Sequence, residues 1–117
     1  MFEVEFYKLP DGTKPVAEFI KSLDVKMRVK AIDSISILEK YGPELREPYS
    51  KSLGDGIFEL RIKFVSDIVR LFYFFFVGEK IVLTNGFIKK KTGETPSGEL
   101  EKAKKYKEDY ERRQQHD

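Results

Sequence analysis

FELRIKF, residues 58–64, alternates without a break: Phe58, Leu60, Ile62 and Phe64 share one parity, Glu59, Arg61 and Lys63 the other. Successive side chains of a strand project to opposite faces of a sheet, so this period of two predicts a half-buried strand with a charged outer edge. Two further strand-like stretches follow, at 68–77 and 80–88. Gly78-Glu79 has the form of a two-residue hairpin turn, and the segment 65–68 that of another tight reversal.

Upstream, residues 2–8 alternate in the same manner, with Phe2, Val4 and Phe6 inward, and Pro10-Asp11-Gly12 turns the chain. Pro15 then opens a helix whose Val16, Phe19, Ile20 and Leu23 form one apolar stripe. Asp24 caps a second helix carrying Met27, Ala31, Ile35 and Leu38, which Gly42 and Pro43 end. Residues 42–56, GPELREPYSKSLGDG, read as a long loop, and such loops on small domains are frequently functional. After the strands, Thr95 and Pro96 begin a third helix with a sparse stripe through Leu100, Ala103 and Tyr110, and 112–117 is expected to fray. The expected fold is α+β in the order β-α-α-β-β-β-α. It is an antiparallel sheet with the two N-terminal helices on one face and a C-terminal helix, forming a single domain over 1–117.

Composition narrows the function classes. The 117 residues, 40% of them hydrophobic, suffice for one core. With no cysteine, disulfides and thiolate-held metals are excluded, which fits a reducing cytoplasm. The longest apolar run, IVRLFYFFFV, contains Arg70 and is about half the length a membrane-spanning helix needs, so no membrane partner is expected. No grouping of carboxylates and histidines predicts a metal site, and no cofactor is expected. The net charge of +2 says little about partners, but residues 58–91 hold seven lysines and arginines against Glu59, Asp67 and Glu79.

A two-residue turn at Ser66-Asp67 would set Arg61 opposite Phe72 and Lys63 opposite Arg70. A turn at Gly78-Glu79 would set Arg70 opposite Phe87 and Phe72 opposite Asn85. Arg61, Lys63, Arg70 and Lys89 then share one side of the sheet with Phe72 and Phe87. The other side collects Phe58, Leu60, Ile62, Val69, Leu71, Tyr73, Phe75, Val82 and Ile88 as the helix-covered core. Clustered cations repel one another, and Glu59 offsets only part of that cost, so an anionic partner is implied. Cations interleaved with aromatic rings suit single-stranded RNA, phosphates on the former and unstacked bases on the latter. A solvated strand face, which also blocks edge-to-edge aggregation, has the same composition.

LGDGIFELRIKF, IVRLFYFF, NGFIKKKTGETP and GELEKAKKY, in that order and spacing, resemble the RelE/HigB superfamily of type II toxin-antitoxin toxins, in its phage-derived Gp49-like/HigB branch. The resemblance spans nearly the whole chain. It implies a RelE-like microbial RNase-type fold and a metal-independent, ribosome-dependent endoribonuclease, or mRNA interferase, that cuts messenger RNA and inhibits translation. It also implies the ribosome with bound mRNA and a helix-turn-helix antitoxin as partners, the latter in a toxin-antitoxin hetero-oligomer. The catalytic roles fall on Arg61, Arg70, Lys89 and Lys90, and RNA binding on Lys51, Lys63, Phe87 and Lys91. Guanidinium forks match phosphate oxygens and keep their protons, while Lys89 or Lys90 is the candidate for proton exchange. Histidine bases of the superfamily have no counterpart here, since the one histidine, His116, lies at the end of the tail. Glu47 and Glu59 are the candidate bases, although each reads more readily as a plain surface acid. The competing function is a non-nuclease binding protein of the same fold, either a gyrase-poison-like toxin or an inactivated phage regulator's partner.

Overall fold

A computed structural model describes residues 1–89 and 96–115. The chain runs β1 (Glu3–Phe6), α1 (Pro15–Ser22), α2 (Val25–Tyr41), a 3-10 turn at Gly42–Glu44, β2 (Ser50–Gly54), β3 (Ile57–Phe64), β4 (Asp67–Phe76), β5 (Lys80–Lys89) and α3 (Ser97–Gln114). Five strands lie in the order β1-β5-β4-β3-β2. Two features depart from expectation. The long loop contains a strand of its own, β2, antiparallel to β3, and β1 pairs parallel to β5, so the sheet is mixed. The bend at Gly42, the 3-10 turn and the bulge between Ser52 and Gly54 break any regular alternation there, which hides β2 from a reading by period.

The local signals act as their chemistry dictates. Pro15 occupies the first turn of α1, and the Asp24 carboxylate accepts the Met27 N–H at 2.9 Å at the head of α2. Val16, Ile20, Met27, Ala31, Ile35 and Leu38 bury one stripe of the two helices against Leu60, Ile62, Leu71 and Tyr73 on the first face of the sheet. α3 lies on the second face, where Ala103 and Tyr110 pack on Phe72, Phe74 and Val82. Helices thus cover both faces. α3 continues through Gln114, into the segment expected to fray, because Arg112 and Arg113 both bond Asp109 one turn back.

The first hairpin differs from the predicted register, and the second keeps it only from Ile68 to Leu71. Phe64 pairs with Asp67, placing Val65 and Ser66 in the turn, so Arg61 lies opposite Arg70 and Glu59 opposite Phe72. The shift is two residues and leaves each side chain on its predicted face. Val65 takes a φ of +57°, where β-branched residues are strained, so pairing along β3 and β4 overrides the turn preference of Ser66-Asp67.

Between β4 and β5, Arg70 does face Phe87. A bulge then opposes Thr84 and Asn85 to Phe72, the pairing resumes at Tyr73 and Leu83, and the turn holds Val77, Gly78 and Glu79. The extra residue reverses the parity of 80–83, and Val82 therefore joins the second face, not the first. Ile88, also expected in the core, is exposed. The bulge has its own role: Asn85 donates to the Glu99 carbonyl at 3.0 Å, tying the first turn of α3 to the sheet.

Candidate RNA-binding cleft

The second face is divided. Half lies under α3, and the other half carries the charged parity of β3 with its cross-strand neighbours. Register builds three rows there: Lys51–Glu59–Phe72, then Arg61–Arg70–Phe87, then Lys63–Ile68–Lys89. Cross-strand partners on one face lie about 5 Å apart, so the two arginines begin side by side.

Like charges so placed need a counterion, and Glu59 supplies it from within. Its carboxylate, 1% exposed, accepts from Arg70 Nη1 at 2.5 Å and from Arg61 Nε at 3.2 Å on the same oxygen. A buried carboxylate is stable only when paired and hydrogen-bonded, and here one acid fixes two guanidiniums. Arg70 is itself buried, and its Nε finds no hydrogen-bond partner among the described residues. Arg61 keeps about a quarter of its side chain in solvent. The group carries an excess of one positive charge.

Beyond the end of β2, the edge of β3 is open, and a cleft of about 400 Å³ lies there against α2 and the loop before β2. Arg61, Arg70, Lys63 and Lys30 line it, with no carboxylate among its lining residues. Tyr49, Pro48, Ile37, Ile62 and Ile68 form its apolar wall, and Ser34 adds a hydroxyl. Its two arginines are anchored by Glu59 and largely withdrawn from water, where their attraction for an anion is stronger than on an open surface, while Lys30 and Lys63 are exposed.

Arg61, Arg70 and Lys63 come together as anticipated, whereas the other candidates are spread around them. Lys51 and Lys89 share the face in the flanking rows, and Phe87 tilts against Phe72 with ring centres 5.6 Å apart. Glu59 is engaged by both arginines. Glu47 lines a neighbouring groove with Tyr41 and Leu45. Lys90, Lys91 and His116 lie outside the described residues. Lys30 and Ser34 were not anticipated. Their signal is the helical period, because 30, 34 and 37 recur at four and three residues on the flank beside the buried stripe of α2. Tyr73, on the opposite face, is spent in the core: its hydroxyl bonds Ser50, and burial pushes its pKa up.

A family described as phage-derived protein Gp49-like (DUF891) matches residues 18–108, which include every described residue lining this cleft. The chain belongs to that family. Gp49-like proteins are RelE/HigB-like toxins, associated with toxin endoribonucleases, and membership sets this chain in a toxin-antitoxin context with an antitoxin as partner. A comparison with curated proteins finds no match. Among the described residues of this Gp49-like chain, no helix is long and apolar enough to cross a membrane, and no group of three His, Cys, Asp or Glu side chains could hold a metal ion.

Proposed function

We propose that the chain is the toxin of a type II toxin-antitoxin pair, a ribosome-dependent endoribonuclease with a RelE-like fold that cuts messenger RNA in the cytoplasm. The observation that carries this reading is the pair of guanidiniums in register on β3 and β4, held by one buried carboxylate and opening into a cleft whose charged lining residues, among those described, are all cations.

In metal-independent cleavage, the 2′-oxygen of the nucleotide attacks its own adjacent phosphorus. The O2′–P bond forms and the P–O5′ bond breaks, leaving a 2′,3′-cyclic phosphate and a 5′-hydroxyl. Negative charge grows on the non-bridging oxygens, where Arg61 and Arg70 donate hydrogen bonds without losing a proton. Lys63 and Lys51 hold neighbouring phosphates. Lys89 and Lys90 are assigned the proton exchange, one proton leaving O2′ and one reaching O5′. Glu59 acts through the arginines, holding their forks in place. The net charge of +2 gives weak attraction for free RNA, so the ribosome's presentation of an extended messenger supplies the missing affinity. A helix-turn-helix antitoxin in a hetero-oligomer with the toxin is the partner this function calls for.

The test is purified protein added to ribosomes programmed with a defined message, read by primer extension. Wild type cuts within the codon at the decoding site, and Arg61→Ala slows the cut by about 100-fold or more, the usual loss for one transition-state donor. Intact message with wild type, or an unchanged rate with Arg61→Ala, overturns the reading. Intact message together with inhibited gyrase would move the chain to the non-nuclease class.

A further inference from the structure

The cleft has two chemically different walls, and cation–phosphate pairing uses only one of them. Beside the arginines, Tyr49, Pro48, Ile37 and Ile68 offer an apolar surface that a phosphate gains nothing from touching. Tyr49 is 62% exposed although it lies in a well-anchored segment. Its N–H donates to the Arg46 carbonyl at 2.9 Å, and its own carbonyl accepts the Arg61 N–H at 2.8 Å. The backbone is therefore held on both sides while the ring is left to solvent. The backbone that carries the ring is thus ordered before any ligand arrives, which removes that part of the cost of binding.

We propose that Tyr49 and the apolar wall seat one unstacked nucleobase of RNA, the base of a nucleotide whose phosphate lies on Arg61. About 400 Å³ is at the low end of ligand pockets, room for a single nucleotide and not for a stacked helix. The base lies on the Tyr49 ring, the wall of Ile37 and Ile68 excludes water, and Ser34 with Lys30 offers donors to acceptor atoms on the base edge. Bases rich in acceptors are favoured at that nucleotide. The inference rests on the RNA reading of the cleft, but on the binding step and not on cleavage.

Its test is binding of a short 2′-deoxy oligonucleotide, which the proposed chemistry cannot cut, beside the same oligonucleotide with one abasic position, by titration calorimetry at low salt. Wild type binds the complete strand about tenfold tighter than the abasic one, as expected for one base stacked on an aromatic ring. Tyr49→Ala loses that tenfold on the complete strand and nothing on the abasic strand, and Tyr49→Phe recovers it. Thermal melting checks that the variants fold. Equal losses on both strands, or no loss, overturn the seat. Should the base dependence hold while messages on ribosomes stay intact, the seat stands and the nuclease reading falls. The reverse pattern removes the seat and leaves the nuclease.

Discussion

Two acids in this protein each sit between two arginines, yet their surroundings differ sharply. Glu59 is sealed under the second face of the sheet and bonds Arg61 and Arg70 on two different strands. Asp109 stands on α3 with its arginines one turn ahead, Arg112 at 2.8 Å and Arg113 closer still, and accepts the Tyr7 hydroxyl at 2.6 Å. The arginine side chains there are 60% and 40% exposed, against 27% and 9% at Glu59. Each acid has two arginines among its described partners, and burial makes one group a candidate anion site and the other a fastening. Water screens the helix cluster; the strand cluster keeps its field for whatever enters the cleft.

The widest gap between the two should appear on deleting one arginine from each. Arg70→Ala strips a buried carboxylate of its shortest described ion pair and should cost about 3–5 kcal/mol by denaturant unfolding, with Glu59→Gln in the same chain recovering most of it. Arg113→Ala removes a half-exposed partner and should cost less than about 1 kcal/mol. Equal costs would end the distinction.

The next effect is in pH. Burial, with the Asp109 carboxylate beside it, pushes the Tyr7 phenol from 10 up to about 12, and burial with Glu5 raises Tyr110 likewise. A raised folded-state value means stability that is complete below pH 10 and falls as pH climbs toward 12. The hydrogen bond from Tyr7, with Arg113 and Arg112 nearby, holds Asp109 below the usual carboxylate range, so its contribution is present above pH 4 and fades on further acidification. Tyr7→Phe should flatten the alkaline decline in melting temperature and leave RNA binding alone. A change in cleavage with that variant would show that the two clusters are coupled through α3.

The smallest effect expected is at the rim. Lys63→Ala should weaken RNA binding only a few-fold while lowering the slope of log affinity against log salt by about 1, the mark of one phosphate contact. An unchanged slope would place Lys63 outside the phosphate path.

Much of this was legible in the chain itself. Strict alternation along 58–64 put Glu59, Arg61 and Lys63 on one face, and Pro15, Asp24 and the apolar stripes marked both N-terminal helices. Strand β2 escaped because its irregular pairing leaves no period to read. The bulge at Thr84 and Asn85 escaped because one inserted residue leaves no trace in composition, though it carries Val82 to the other face and directs Asn85 to α3.

Periodicity and local chemistry, which depend on neighbours a few residues apart, were determined by the sequence alone. Which arginine stands opposite which, that a single carboxylate serves both, and that Lys30 and Tyr49 close the same cleft were decided by tertiary structure. Those outcomes depend on turn position and strand register, where a shift of two residues preserves every face yet changes every partner.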